Sequence, residues 1–351
     1  MKKIAILSGT LARGGAERVS LYLADKLRDF GVETVLVTMN VAPNEYSVPN
    51  GVRRVNVTEQ KTYSVLGLRR VLKKEKPDLF LIMGSSNATY AIPASLGLRS
   101  KIIVSERNSP ANFKGRKVTM MISRQLMKLA DGFVFQTEDA KSFYSKLLEG
   151  RGVVIPNPLF VEGMPDPYIG TRERRIVTAG RLVDQKNQKL LIEAFAIIAT
   201  DYPDFILDIY GEGPNRSILQ NLIISKNLQE RVFLKGNVPD ILERIKKAFC
   251  FVMSSDFEGM PNALIESMAM GLPCISTDCP CGGPKTLIDD GLNGMLFKVG
   301  NVDDLVDRLR LLLSNETMAS EMGSNAVKVR EKLDAGKVVN DWHDYFMKIL
   351  N

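Results

Sequence analysis

The run Phe249-Cys250-Phe251-Val252-Met253, followed by Phe257-Glu258-Gly259-Met260-Pro261-Asn262-Ala263-Leu264-Ile265-Glu266, reads as a buried strand, a loop and the opening of a helix. In an open parallel sheet, ligands gather at the carboxyl ends of strands, where this loop falls. A helix that begins near Asn262 aims backbone N–H groups and a partial positive charge at that crevice, which suits a phosphate. Glu258 on the loop and Glu266 inside the helix add acceptors for hydroxyls. Donors for an anion beside acceptors for a sugar diol fit a nucleotide sugar. Two glutamates at this spacing also arise on solvated helices, so the rest of the chain has to decide.

Outward from this stretch the pattern repeats. Apolar, β-branched runs at 4–7, 34–38, 79–83, 101–105, 132–135 and 152–155 alternate with helical patterns at 16–30, 65–74 and 118–130. Such alternation predicts βαβ units and a parallel sheet. The prolines of Pro156-Asn157-Pro158 and Gly163-Met164-Pro165-Asp166-Pro167 then interrupt it and read as a linker. Strands resume at 175–179, 205–210, 232–234, 250–253, 274–276 and 295–297, and the chain closes on helices at 302–313, 317–332 and 337–350. With 351 residues, two α/β domains are expected, and a ligand cleft between them.

Charge divides unevenly. Residues 1–157 carry 25 lysines and arginines against 13 acidic residues, and the remainder carries 22 against 27. A basic half beside an acidic one predicts that the first half faces something anionic. Nucleic acid is set aside, because no helix-turn-helix, zinc-finger or RNA-recognition pattern is present. No apolar run approaches the ~20 residues of a membrane helix. Met1-Lys2-Lys3 resembles a signal n-region, but the apolar run after it breaks at Ser8-Gly9 and reads as a first strand, so a cytoplasmic protein is expected. Cys274, Cys279 and Cys281 cluster without a nearby histidine, and no metal site is expected from them.

Three further turns carry chemistry. Gly14-Gly15 lies between the first strand and its helix and allows close backbone approach by a phosphate or acceptor, although such a pair serves a structural turn equally well. Arg181 ends a strand and Lys186 precedes a helix at 188–199, which places two cations at one sheet edge with Glu258. Together they can bind a diphosphate and stabilise its charge as it leaves. Tyr210-Gly211-Glu212-Gly213-Pro214 permits a tight turn near the nucleotide, or simply a turn.

With Gly14-Gly15-Ala16-Glu17-Arg18, Gly180-Arg181-Leu182, Lys186-Asn187, Gly211-Glu212-Gly213-Pro214 and Glu258 through Pro273 assembled in order, the chain resembles the family-4 retaining glycosyltransferases. The resemblance implies an α/β GT-B fold, two Rossmann-like parallel-sheet domains facing across a cleft. An acceptor-binding domain would span 1–160 and regain the helix at 335–351, and a nucleotide-sugar domain would span 171–334. It also implies roles. Arg181 and Lys186 would hold the donor diphosphate, and Glu266 the ribose hydroxyls. Glu258 would touch the transferred sugar, with backbone N–H groups at Met260, Asn262, Ala263 and Leu264. Gly15 and Gly211 would lie close to the ligand. The reaction would move a sugar from a nucleotide diphosphate sugar, with UDP as the expected nucleotide, to a hydroxyl with retained configuration. Neither a cofactor nor a metal would be needed.

One departure stands out. Many members carry a histidine in the first domain that touches the donor sugar, and the single histidine here is His343, beside Trp342 in the last helix. The corresponding loop reads Ser105-Glu106-Arg107-Asn108-Ser109-Pro110, so Glu106 or Arg107 is expected in the histidine's place. That variation resembles transferases of bacterial surface polysaccharides and lipid-linked oligosaccharides. Lys114, Arg116, Lys117, Arg124 and Lys128 are interleaved with methionines and leucines, and Arg69, Arg70, Lys73, Lys74 and Lys76 form a second cluster. Both suit an anionic membrane surface, at the inner face of the cell membrane, or a polyprenyl diphosphate acceptor. An ordinary amphipathic helix fits the first cluster as well. A nucleotide-sugar epimerase and a non-catalytic nucleotide-sugar-binding subunit remain as alternatives on the same architecture.

Overall fold

The computed structural model describes residues 1–12, 14–58, 65–109, 117–148 and 150–351, without the side chains of 117–120. It divides into two compact units, Met1–Pro158 with Ala335–Asn351, and Leu159–Asp334. The expected basic residues Lys114 and Arg116, and the side chain of Lys117, lie outside the described residues.

The first unit is built on β1 (Lys3–Ser8), β2 (Glu33–Thr38), β3 (Arg53–Asn56), β4 (Leu79–Met83), β5 (Lys101–Ser105), β6 (Gly132–Phe135) and β7 (Gly152–Val154). They form one sheet in the order β3-β2-β1-β4-β5-β6-β7, with parallel neighbours throughout. The second unit repeats the plan with β8 (Glu173–Ala179), β9 (Ile206–Tyr210), β10 (Val232–Gly236), β11 (Ala248–Met253), β12 (Cys274–Thr277) and β13 (Met295–Phe297). Their order is β10-β9-β8-β11-β12-β13, again all parallel. The expected α/β class with two Rossmann-like parallel sheets is the observed one. β4 and β11 are buried along their whole length, as strands covered by helices on both faces must be.

In each sheet the strand order reverses beside the first strand, so β1 and β4 flank one switch point and β8 and β11 flank the other. There the connecting helices leave toward opposite faces and the carboxyl ends of the two strands open a crevice. The site is therefore sought in the loops after β8 and β11, and in those after β1, β4 and β5.

β3 was not legible as a strand. Its sequence Arg53-Arg54-Val55-Asn56 has no apolar run, because it is an edge strand whose arginines pair with the largely buried carboxylates of Glu75 and Glu45. The helix expected at 16–30 is α-helical over Gly15–Lys26 and tightens to a 3-10 turn at Leu27–Phe30, closed by Gly31 at φ 73°. The helix expected at 317–332 divides into Glu316–Ala326 and Val329–Lys332. The last helix, Ala335–Leu350, buries Val338, Val339, Trp342, Tyr345 and Phe346 in the core of the first unit. Tyr345 Oη accepts from Phe133 N and donates to Arg151 O, both at 3.0 Å. A β-carbon on Gly132 would stand 2.4 Å from that oxygen, which explains the glycine. His343 stacks on Phe30 with ring centroids 4.5 Å apart, a packing contact.

Candidate functional site

In the second unit, the chain leaves β8 through Gly180-Arg181-Leu182-Val183 and makes a 3-10 turn at Asp184–Lys186. It enters the helix Gln188–Ile198 through Asn187. Asn187 takes left-handed backbone angles, φ 44° and ψ 45°, that asparagine tolerates better than most residues. Its side chain works at both ends: Oδ1 accepts from Leu190 N at 3.3 Å as the helix cap, and Nδ2 donates to Asp256 Oδ1 at 2.7 Å. Three more bonds tie this loop to the one after β11. Ser254 Oγ donates to Lys186 O at 3.0 Å, Asp256 N to Gln185 O at 2.9 Å, and Gln185 Nε2 to Phe257 O at 2.9 Å.

This stitching fixes the two candidate side chains against each other. Lys186 Nζ meets Glu258 Oε1 at 2.6 Å. The Glu258 side chain is 10% exposed and the Lys186 side chain 20%, so the pair sits at the rim of the core with one edge toward solvent. Burial, reinforced by the charge of Glu258, pushes the thiol of nearby Cys279 up to about 12 and keeps it protonated at neutral pH. Arg181 is exposed and forms no ion pair among the described residues, while its carbonyl accepts from Gln188 Nε2 at 3.0 Å.

The glycines of the third loop act by making room. Gly211 has φ 132°, and a β-carbon there would lie 2.0 Å from the Gly180 carbonyl oxygen. A β-carbon on Gly213 would lie 2.3 Å from the carbonyl of Leu182. The loop after β9 thus backs the 180–182 segment, and Leu182 N donates to Glu212 O at 3.0 Å. The helix Asn262–Ala269 begins at Pro261, and no side chain caps it. Met260 and Leu264 are buried in the core, so what they can offer a ligand is backbone. Glu266 is half-buried on the same helix, and Asn262 and Ala263 are half-buried at its start. The structure therefore brings Lys186 and Glu258 into contact, with Arg181, Met260, Asn262, Ala263, Leu264 and Glu266 on the loops and helix that border them.

In the first unit, Gly15 opens the helix Gly15–Lys26 and is exposed, with Gly14 extended before it and no side-chain cap. Glu106, expected with Arg107 as an alternative in the place of the missing histidine, has a carboxylate that is 5% exposed and fully engaged: Ser85 Oγ and Tyr144 Oη donate to Oε2, and the backbone N–H groups of Arg107 and Asn108 donate to Oε1. Burial holds its carboxyl above the usual range against these four donors. Glu106 therefore anchors its loop from beneath, and the exposed position expected of a sugar-contacting group is not where its carboxylate lies. Sequence reasoning also missed Ser85, Tyr144, Asp256 and Ser254. Only Asn187 carried a local signal, as an asparagine directly before a helical pattern.

In the basic clusters, Lys73, Lys74 and Lys76 are exposed, while Arg69 is tied to the carbonyls of Ala94 and Leu96. The helix Lys117–Met127 buries Met127 but leaves Met121 64% and Ile122 50% exposed. Among the described residues no helix is long and apolar enough to cross a membrane. All four cysteines are buried, and none is joined in a disulfide among the described residues.

A family model described as glycosyl transferases group 1 matches residues 165–329, and one described as glycosyltransferase family 4 matches residues 13–162. A Haemophilus influenzae protein described as an uncharacterized glycosyltransferase is 24% identical over 97% of this chain and 99% of its own length. A Campylobacter jejuni α-1,4-N-acetyl-D-galactosaminyltransferase is 26% identical over the whole of both chains. Its described acceptor is GalNAc-α-(1→4)-GalNAc-α-(1→3)-diNAcBac-PP-undecaprenol. Among solved structures, Anabaena HepE in complex with UDP superposes with a TM-score of 0.82 at 17% identity, covering 99% of this chain and all of that one. Staphylococcus aureus TarM, solved with UDP, gives 0.82 at 16% identity with both chains fully covered. These likenesses are of fold.

Proposed function

The two halves of this chain belong to the family 4 and group 1 glycosyltransferases, and from that membership we propose that it moves a sugar from a UDP-sugar to a hydroxyl of a lipid-linked or polysaccharide acceptor. The second unit takes the donor. Arg181 and Lys186 bind its diphosphate, uncapped N–H groups of the helix Asn262–Ala269 assist them, and Glu266 accepts from the ribose hydroxyls. Glu258 accepts from hydroxyls of the transferred sugar. As the glycosidic bond to the diphosphate lengthens, negative charge grows on the leaving oxygen, and the two cations stabilise it in place of a metal ion. The leaving phosphate takes the acceptor proton on the face it departs from, so the configuration is retained. Gly15 gives the ligand close approach to backbone on the first unit, and Gly211 shapes the loop that carries Arg181. Transferred hexose or N-acetylhexosamine, and assembly of a cell-surface glycan at the cytoplasmic side of an anionic membrane, complete the reading.

The observation that carries it is the contact of Lys186 with Glu258 at the β8–β11 switch point, with Arg181 exposed on the same loop. The described acceptor of the Campylobacter jejuni relative supports the choice of a lipid-linked acceptor. The test is a thermal-shift panel of UDP- and GDP-sugars against UDP and GDP, because a ligand bound only to the native state raises its melting point. A shift with UDP and its sugars is expected. No shift with any nucleotide in the folded protein would overturn the donor-site reading. Product anomers read by NMR then decide retention.

A further inference from the structure

The loop after β5 half-buries Arg107 and leaves two of its guanidinium nitrogens buried without completed hydrogen bonds. Arg107 donates from Nη2 to Asn157 Oδ1 at 2.7 Å. Its Nε and Nη1 are buried and have no hydrogen-bond partner among the described residues. The adjacent carboxylate is committed elsewhere, since Glu106 already accepts from Ser85, Tyr144 and two backbone N–H groups. Two residues on, Ser109 Oγ is also buried without a partner among the described residues. Burial brings Arg107 down to about 10 although the charges of Glu106 and Glu17 work the other way, so it stays a cation at neutral pH.

A charged donor in that state is costly. Its lost hydration is not replaced, and a purely structural arginine would be expected to find acceptors for its donors. The fold nonetheless holds it firmly. Asn157 fixes one end of the guanidinium and is itself held by Gln136 Nε2 at 2.6 Å, while the four bonds to Glu106 fix the backbone on which Arg107 stands. Arginine carries donors only, in a rigid planar array that matches phosphate oxygens. A preorganised, incompletely paired guanidinium at the carboxyl edge of a parallel sheet is suited to bind an anion.

We propose that Arg107 is a phosphate-recognition residue of the first unit, donating from the nitrogens that the fold leaves unpaired while Asn157 keeps Nη2. The phosphate is that of a phosphate- or diphosphate-linked acceptor, or the diphosphate of the nucleotide sugar. Only this choice of source rests on the function proposed above, because the anion site itself follows from the hydrogen bonding.

The test titrates the full chain with inorganic pyrophosphate by calorimetry, with and without saturating UDP, as wild type, Arg107→Gln and Arg107→Lys. UDP-saturated wild type should bind pyrophosphate, with Arg107→Gln weaker by about tenfold or more, Arg107→Lys in between and UDP affinity unchanged. That outcome assigns the acceptor's phosphate. If UDP-saturated wild type takes no pyrophosphate and Arg107→Gln instead weakens UDP by about tenfold, the site stands and its phosphate is the donor's. Equal affinities of wild type and Arg107→Gln for both ligands overturn the proposal. Melting without ligand gives a second readout. Arg107→Gln should melt no lower than wild type, because it removes an incompletely paired buried charge. A fall of several degrees would give Arg107 a structural role and overturn the proposal even where binding drops. Arg181→Ala in the same titrations reports on the donor site alone, so failure of that reading is seen separately.

Discussion

Lys186 and Glu258 lie 72 residues apart in sequence and 2.6 Å apart in the structure, each the nearest opposite charge of the other. Their contact means that a donor must enter a site whose cation and carboxylate already neutralise one another. Removing either alone leaves the other partly buried and unpaired, whereas removing both leaves no stranded charge. Lys186→Ala and Glu258→Ala should each lower transfer by about 100-fold or more in a folded protein. The double variant should melt higher than Lys186→Ala. A thermodynamic cycle on melting reads the coupling, and additive effects would mean the pair is no unit.

Arg181 should behave differently, because it is exposed and has no ion pair to lose among the described residues. Arg181→Ala is expected to melt with the wild type when no ligand is present. Its affinity for UDP should fall by about 10- to 100-fold, the worth of a hydrogen bond to a charged group. Calorimetric titration with UDP checks this, and unchanged affinity would remove Arg181 from the diphosphate site.

Gly211 tests whether the loop after β9 backs the site. At φ 132° a β-carbon would come within 2.0 Å of the Gly180 carbonyl, which is backbone and cannot swing away. Gly211→Ala should destabilise by about 1–3 kcal/mol and weaken UDP by displacing the 180–182 segment. Gly163→Ala is the control, with φ 73° but nothing within 4 Å of its β-carbon. It should carry the backbone cost alone and leave UDP binding untouched.

Glu106 gives the protein a pH signature. Its carboxyl titrates above the usual range, so between the unfolded value of about 4.3 and its raised folded value the native state holds a proton that the unfolded chain has released. Stability from this group is fully present below the unfolded value and is lost as pH rises through the folded one. Glu106→Gln cannot titrate. The melting temperature of wild type minus that of Glu106→Gln should therefore decline as pH rises across that window and stay level above it. A difference that rises with pH would mean that the donors from Ser85, Tyr144 and the backbone outweigh burial.

What could be read in the chain depended on how local its cause is. β4, β5, β6 and β13 carry apolar runs bounded by polar or turn residues, and their limits coincide with the expected 79–83, 101–105, 132–135 and 295–297. β3 escaped because an edge strand needs only one neighbour, and its arginines find carboxylate partners, Glu75 and Glu45, that no local pattern reveals. The glutamates and cations of the second unit could be named because strand-to-helix loops of a parallel sheet share one edge. The partners that hold them could not. Asp256 reaches Asn187, and Ser85 reaches Glu106, only after the strands have stacked in an order that local periodicity does not encode. Glu106 shows the cost of that blindness: a loop carboxylate read as facing a ligand turns inward to hold its own backbone.

Trp342 settles whether the last helix is part of the first unit's core. It is fully buried, its ring lies 5.4 Å from that of Phe346, and Val338, Val339 and Tyr345 surround it in the same cluster as Ile4, Ile6 and Leu36. A helix that merely rested on the surface would tolerate truncation there. Trp342→Ala instead empties the largest fully buried side-chain volume and should destabilise by about 3–5 kcal/mol. The indole Nε1 is buried and has no acceptor among the described residues, so Trp342→Phe removes an unsatisfied donor along with some volume, and its cost should be much smaller. Urea unfolding followed by tyrosine fluorescence and circular dichroism compares the two. Equal costs would mean that a phenyl ring restores none of the packing and that the site depends on the full indole. Negligible costs for both would detach the helix from the core that the rest of the first unit builds.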